Sequence, residues 1–306
     1  MTLAIGLAIV GGGVGLGQEK AAEKKPAKAS KEKKEELPPP VEVKGNELLT
    51  RDGVMLRATF FPGTKGKDTV PIVLLHSSKG DRKEYATLAP LLQKFGHAVL
   101  VPDLRGFGDS TQTMGGRTLD STRLRPSDYQ AMVAHDMETL KSFLVKQNND
   151  GQLNVNKLCV VGAEMGASVA LHWTKLDWSW PILTGLKQGQ DVKGLVLISP
   201  KWSFPGLPAG EALSRNGGWE RISMMILVGR GEQEPLSEAK RIHRLVKREE
   251  SELPADKRTL FYGEMDTKLQ GAKMLGIKGL NVEPVIARFV ELRMVNQDYP
   301  WLKRGK

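Results

Sequence analysis

Six short runs, mostly apolar, recur between residues 72 and 262, each closed by Gly, Pro or charge: Ile72 to Leu75, Ala98 to Val101, Leu158 to Val161, Leu195 to Ile198, Ser223 to Val228 and Thr259 to Tyr262. A strand that is apolar without alternation has to be buried on both faces, and that is the pattern of a parallel sheet covered on two sides. The stretches between most of these runs have helix length and amphipathic spacing: Glu84 to Phe95, Tyr129 to Lys146, Gly166 to Lys175 and Ser237 to Arg248. A last helix is predicted over Pro284 to Arg293. Strands alternating with helices in this way predict an α/β fold, a mostly parallel central sheet with helices on both faces. Ahead of the parallel part, Val54 to Phe61 alternates apolar and polar residues after Asn46 to Thr50 and the turn Arg51-Asp52-Gly53, which predicts an antiparallel hairpin. Connections are short. Only Ser199 to Arg221 is long enough for a lid, and that lid would be minimal.

The chain has 306 residues, long enough for a sizeable core, and its single cysteine, Cys159, excludes an intramolecular disulfide. No Cys and His cluster has structural zinc spacing, so no structural zinc is expected; no cofactor is expected either, and no metal-ligand residues are assigned. The formal charge is +10. Beyond the N-terminal linker Lys and Arg alternate with Asp and Glu, with no evident basic helix or aromatic-interleaved basic stripe, so the surplus reads as solubility and nucleic acid is not an expected partner.

Leu3 to Leu16 is an apolar run of fourteen, short of the roughly 20 residues that cross a bilayer and matched to a signal h-region, although no Lys or Arg precedes it. Residues 1–17 are therefore expected to be a signal-peptide-like segment, with Gln18 opening an exported chain, secreted or periplasmic, that has no transmembrane span in its mature form. Residues 18–44 hold eight Lys, six Glu and the run Pro38-Pro39-Pro40, and too little apolar surface to pack, so they are expected to form a solvated linker to a domain over 45–306.

Three segments carry a family resemblance. Pro71 to Gly80 (PIVLLHSSKG) looks like a strand followed by a His-Gly-type turn; Val101 to Ser110 (VPDLRGFGDS) is similar to a strand-end D-x-R-G-x-G-x-S segment; and Leu158 to Leu171 (LCVVGAEMGASVAL) places Gly162-Ala163-Glu164-Met165-Gly166 where a G-x-S-x-G nucleophile elbow would stand. With the order of elements, these resemble the α/β-hydrolase superfamily over about residues 45 to 295. The resemblance implies an oxyanion-hole region at His76, Ser77 and Met165, a nucleophile position at Glu164, an acid position at Glu232 or Glu234 in Gly229 to Pro235, and a histidine position near Asp266. No His follows His243.

The catalytic triad implied by the resemblance is thus degenerate, with Glu164 in place of the serine and Asp266 in place of the histidine. Removing either serine or histidine from such a triad costs on the order of a millionfold in turnover. The expectation is a protein without ordinary serine-hydrolase activity that binds a small molecule or a cell-envelope ligand. The alternative is hydrolysis of an ester or related bond, with Glu164 as carboxylate nucleophile or with a non-standard triad. In the binding reading the Glu164 carboxylate would fill the oxyanion hole itself, drawn by the free amides and dipole of the following helix. Glu164, Glu232 or Glu234, and Asp266 would converge if the topology holds, and would then share a proton, separate into solvent, hold a hard cation, or be neutralised by Lys79, Arg105 or Arg230. Trp173, Trp178, Trp180, Trp202 and Trp219 would either line a ligand groove or pack the lid.

Overall fold

The computed structural model describes residues 36–181, 183–184, 187–214, 218–250 and 259–305. The signal-like segment and residues 18–35 of the expected linker lie outside these residues. Ten strands are described: β1 (Val41–Val43), β2 (Val54–Met55), β3 (Arg57–Phe61), β4 (Pro71–Leu75), β5 (Ala98–Asp103), β6 (Gln112–Thr113), β7 (Leu158–Ala163), β8 (Val192–Ile198), β9 (Ser223–Gly229) and β10 (Leu260–Met265). The α-helices are α1 (Leu88–Lys94), α2 (Pro126–Ala131), α3 (Met137–Asn149), α4 (Met165–Ser179), α5 (Ala209–Ala212), α6 (Gln233–Glu250) and α7 (Val282–Val290).

Eight strands form one sheet in the order β1-β3-β5-β4-β7-β8-β9-β10, antiparallel at the β1-β3-β5 edge and parallel from β5 through β10. All six predicted parallel strands are present, and alternation of side chains along each one feeds two cores. Val73, Val160, Leu195 and Ile226 join α3, α4 and α6 on one face. Ile72, Val161, Val196 and Leu227 join α1 and α7 on the other. No helix among the described residues is long and apolar enough to cross a membrane.

Three local expectations differ. The antiparallel partner of β3 is Val41–Val43, inside the expected linker, so the sheet begins before residue 45. Residues Gly45–Leu48 form a 3₁₀ turn instead, joined to the next segment by a single bridge between Leu49 and Met55. The helix expected over Tyr129 to Lys146 is interrupted by a π-helical turn at Met132–Asp136, which aims the Asp136 carboxylate back under the strand ends. Among its described residues the predicted lid region carries the short α5 and a 3₁₀ turn at Trp219–Arg221. Of the five tryptophans, Trp173 on α4 and Trp219 in the lid region are buried, Trp178 on α4 donates to the Val192 carbonyl at 2.8 Å, Trp202 lies under the Arg241 guanidinium, and Trp180 is exposed.

Candidate functional site: the acidic elbow

Strand β7 turns into α4 at Glu164, whose backbone sits at φ 48° and ψ −103°, a conformation costing a side-chain-bearing residue roughly 1–3 kcal/mol. The turn is tight enough to demand its glycines. A Cβ on Gly162 would overlap the Gly166 carbonyl, and one on Gly166 would overlap the Leu75 carbonyl at the end of β4. The Glu164 amide donates to the Ile198 carbonyl at 2.9 Å, so the bend is tied to β8 as well as β4. This is the elbow geometry the sequence implied, with a half-buried glutamate at its apex.

The carboxylate does not fill the oxyanion hole as expected, because the Glu164 side chain caps none of the first-turn amides of α4. It leans across the strand ends onto Gly271, where an added Cβ would stand 2.9 Å from Glu164 Cγ and 3.2 Å from Cδ. Gly271 has φ 58°, so both its backbone conformation and the space taken by Glu164 require glycine there. A short network holds it. The Gly271 amide donates to Ser199 Oγ at 2.9 Å, and Ser199 Oγ donates to Gln270 Oε1 at 2.7 Å. Gln270 Nε2 in turn donates to the Gly229 carbonyl at 2.9 Å. Ser199 itself is buried at φ 49°. The ends of β8, β9 and the loop after β10 are therefore closed by amide and hydroxyl groups against the elbow.

The implied acid and histidine positions lie differently. Asp266 is 83% exposed and paired with Arg230 at 3.0 Å, so of the cations considered it is Arg230 that neutralises it. Glu232 and Glu234 are exposed at the start of α6. Among the described residues no group of three His, Cys, Asp or Glu is placed to hold a metal ion, so the acidic convergence does not form a cation cage.

The residues expected to form an oxyanion-hole region are placed as follows. Met165 is buried and opens α4, where its N–H is one of the four that a helix leaves without an internal partner. The Ser77 amide and hydroxyl both donate to one carboxylate, Glu84, at 2.8 and 2.6 Å. Glu84 reaches them across Gly80, where any Cβ would collide with it. His76 is fully buried; its Nε2 accepts from the Leu104 amide at 3.0 Å, so Nδ1 carries the proton and donates to the Ser77 carbonyl at 2.7 Å. Burial also lowers the His76 pKa, and the ring is a neutral structural strut rather than a base. The other histidines are placed elsewhere: His97 just before β5, His135 in the π turn, His172 on α4 bonded to the Pro208 carbonyl, and His243 on α6 stacked on Tyr262. Ser168, another hydroxyl near the elbow, is buried with its Oγ unbonded.

The D-x-R-G-x-G-x-S segment proves to be wiring. Asp103 accepts from the amides of Arg82 and Asp109 at 2.8 and 2.9 Å, and the Arg82 guanidinium bridges Asp103, Asp109 and Glu42 of β1. Ser110 Oγ donates to the Asp103 carbonyl and accepts from the Arg57 amide. Arg105 is 4% exposed between Asp136 and Asp52, at 2.6 and 2.5 Å. Burial alone would lower its pKa, but the two carboxylates raise it. Burial pushes the Asp136 carboxyl up against the pull of Arg105, whereas for the half-exposed Asp52 the Arg105 and Thr50 hydrogen bonds overcome burial and bring the pKa to about 2.

Glu84, Ser199, Gln270 and Gly271 escaped sequence reasoning. Each matters through a contact made by folding; no motif or spacing marks them.

Comparison with known proteins follows the same lines. The Alpha/beta hydrolase family matches over residues 72–285. Solved structures with the same fold include an esterase of Pyrococcus furiosus (TM-score 0.54, 15% identity, covering 84% of this chain and 91% of that one). An esterase of Pyrobaculum calidifontis is also similar (TM-score 0.55, 13% identity, 85% and 87% covered). In sequence, an uncharacterized protein of Mycobacterium tuberculosis strain H37Rv is 29% identical over 122 residues, 40% of this chain. The match spans 37% of that relative's length.

Proposed function

Because the chain belongs to the alpha/beta hydrolase family, whose serine chemistry starts at the elbow, we propose that it is a member in which the elbow has passed from catalysis to ligand binding. One observation carries this reading. Glu164 holds the apex of the elbow with its side chain against the backbone of Gly271, and among the described residues no imidazole is hydrogen-bonded to it: His76 is locked by two hydrogen bonds, His172 lies farther along α4 against the Pro208 carbonyl, and the other three histidines lie on other elements. The Ser77 amide, engaged by Glu84, adds to it, since a donor already bonded to a carboxylate is poorly disposed to receive a developing oxyanion. What the site offers a ligand is one half-buried carboxylate at the strand ends, suited to a cationic or hydrogen-bond-donating group of a small molecule. In this reading the protein acts at the cell envelope after export, on the strength of the apolar run Leu3 to Leu16 and the charged linker behind it.

A second reading rests on the Glu164 backbone itself, which keeps the strained conformation of a nucleophile. A carboxylate there would attack and form a covalent ester, which water must then cleave with the help of a base. Asp266 is the base this scheme requires, and its exposure and its pairing with Arg230 work against the raised pKa it would need. Turnover of a short-chain activated ester by the wild type and by Glu164→Gln separates the two. Binding predicts no Glu164-dependent turnover; hydrolysis that disappears in Glu164→Gln would establish the carboxylate mechanism instead.

A further inference from the structure

Contrary to the expectation of no basic helix, α6 presents a basic face. Along α6, Lys240, Arg241, Arg244, Lys247 and Arg248 are all exposed, while Ala239, Ile242 and Val246 on the opposite side enter the core. Lys240 pairs with Glu264 at 3.1 Å. Among the described residues, Arg244 and Lys247 have no carboxylate within ion-pairing distance, and Arg244 bonds only to the Lys240 carbonyl. Two grooves flank this ridge and share Arg244. One, of about 590 Å³, includes Lys240, Arg244, Lys247 and Tyr262 in its lining. The other, of about 350 Å³, includes Trp202, Arg241 and Arg248.

The chemistry of the face selects among anionic partners. An amphipathic helix that binds lipid buries its apolar side in the membrane, but the apolar side of α6 is committed to the core, and none of the exposed large apolar residues lies on this helix. Single-stranded nucleic acid is gripped by stacking bases on open aromatic rings. Here the Arg241 guanidinium covers one face of Trp202 at 3.8 Å and the His243 ring covers one face of Tyr262 at 4.4 Å. What is left is a row of cations about one helical turn (about 5.4 Å) apart, bordered by shallow grooves, which suits a linear polymer with closely and regularly spaced anionic groups.

We propose that the exposed face of α6 and its two grooves bind a linear anionic polysaccharide, sulfated or uronate in type. This surface is separate from the elbow and does not depend on the reading given to Glu164. The test uses the full chain and fluorescein-labelled dextran sulfate, with affinity followed by anisotropy over a series of salt concentrations. Arg244→Glu/Lys247→Glu should weaken binding at least about tenfold and flatten its salt dependence, because two of the contacts that release counterions are reversed. Lys273→Glu/Lys278→Glu makes the same charge change at exposed positions on another loop and should change affinity less than about threefold. Glu164→Gln should bind as the wild type does. Unchanged thermal midpoints confirm that the variants fold. Equal losses in both double variants, no binding by the wild type at low salt, or tighter binding to phosphatidylglycerol vesicles or duplex DNA than to dextran sulfate at equal anion concentration would each overturn the proposal.

Discussion

Two neighbouring loops at the carboxyl ends of the sheet treat their charges in opposite ways. After β5, the Asp103 and Asp136 carboxylates and the Arg82 and Arg105 guanidinium groups are all matched by partners, several of them buried. After β7, Glu164 sits in a strained backbone with its carboxylate bonded to nothing among the described residues and its stem pressed on a glycine. The first arrangement is what stability asks of buried charge. The second costs stability and has no structural return, and such local violations concentrate at functional sites. The D-x-R-G-x-G-x-S segment is thus scaffold, and the strained, unpaired Glu164 of the elbow is where the proposed function is placed.

The contrast is sharpest where a partner is removed. Arg105→Ala leaves Asp136 buried without its counter-charge, and should lower unfolding free energy by about 3–5 kcal/mol in a urea titration. A loss below 1 kcal/mol would show that water or another group replaces the guanidinium, and would blur the distinction between the loops. Gly271→Ala should cost about 1–3 kcal/mol, from its positive φ and from contact with Glu164. In a Glu164→Ala background part of that cost should vanish, and a double-mutant cycle reports the coupling. Perfect additivity would mean that the two residues do not press on each other.

The wired loop should also show in acid. Asp52 has its pKa lowered to about 2 from an ordinary 3.8, so the stability it contributes is complete above the unfolded value and is lost as pH falls toward the folded one. Because its side chain is 35% exposed, solvent screening reduces this to about 1 kcal/mol. Asp52→Asn should remove that fraction of the acid dependence between pH 4 and pH 2 and leave the rest. At the elbow the sign reverses: Glu164→Gly relieves strain and should stabilise the fold by about 1 kcal/mol, less whatever glycine adds to the entropy of the unfolded chain. A clear loss of stability there would mean that the carboxylate holds the structure together.

The parallel sheet was legible because each central strand is buried on both faces, which leaves a plain apolar run in the sequence. Strand β1 was not, since Val41-Glu42-Val43 follows three prolines and borders a Lys and Glu tract, and is recruited only by pairing with β3. The elbow was legible through Gly162 and Gly166, whose missing side chains are a steric requirement of the bend. Its surroundings were not. Asp266 falls at the right distance after a strand, yet it turns outward to Arg230, while Gly271, five residues later, meets Glu164. The basic ridge of α6 was passed over because Glu234, Glu238, Glu249 and Glu250 flank it and balance the local charge, while Ile242, Leu245 and Val246 separate cations that helical winding gathers on one side.

The central claim is that the elbow lacks a base as well as an alcohol, and the most direct measurement is steady-state turnover of a short-chain activated ester by Glu164→Ser. Restoring the hydroxyl without an imidazole should leave turnover at the wild-type background. A Glu164→Ser variant that turns over about a hundredfold faster than wild type would reveal a working base beside the elbow and contradict the account.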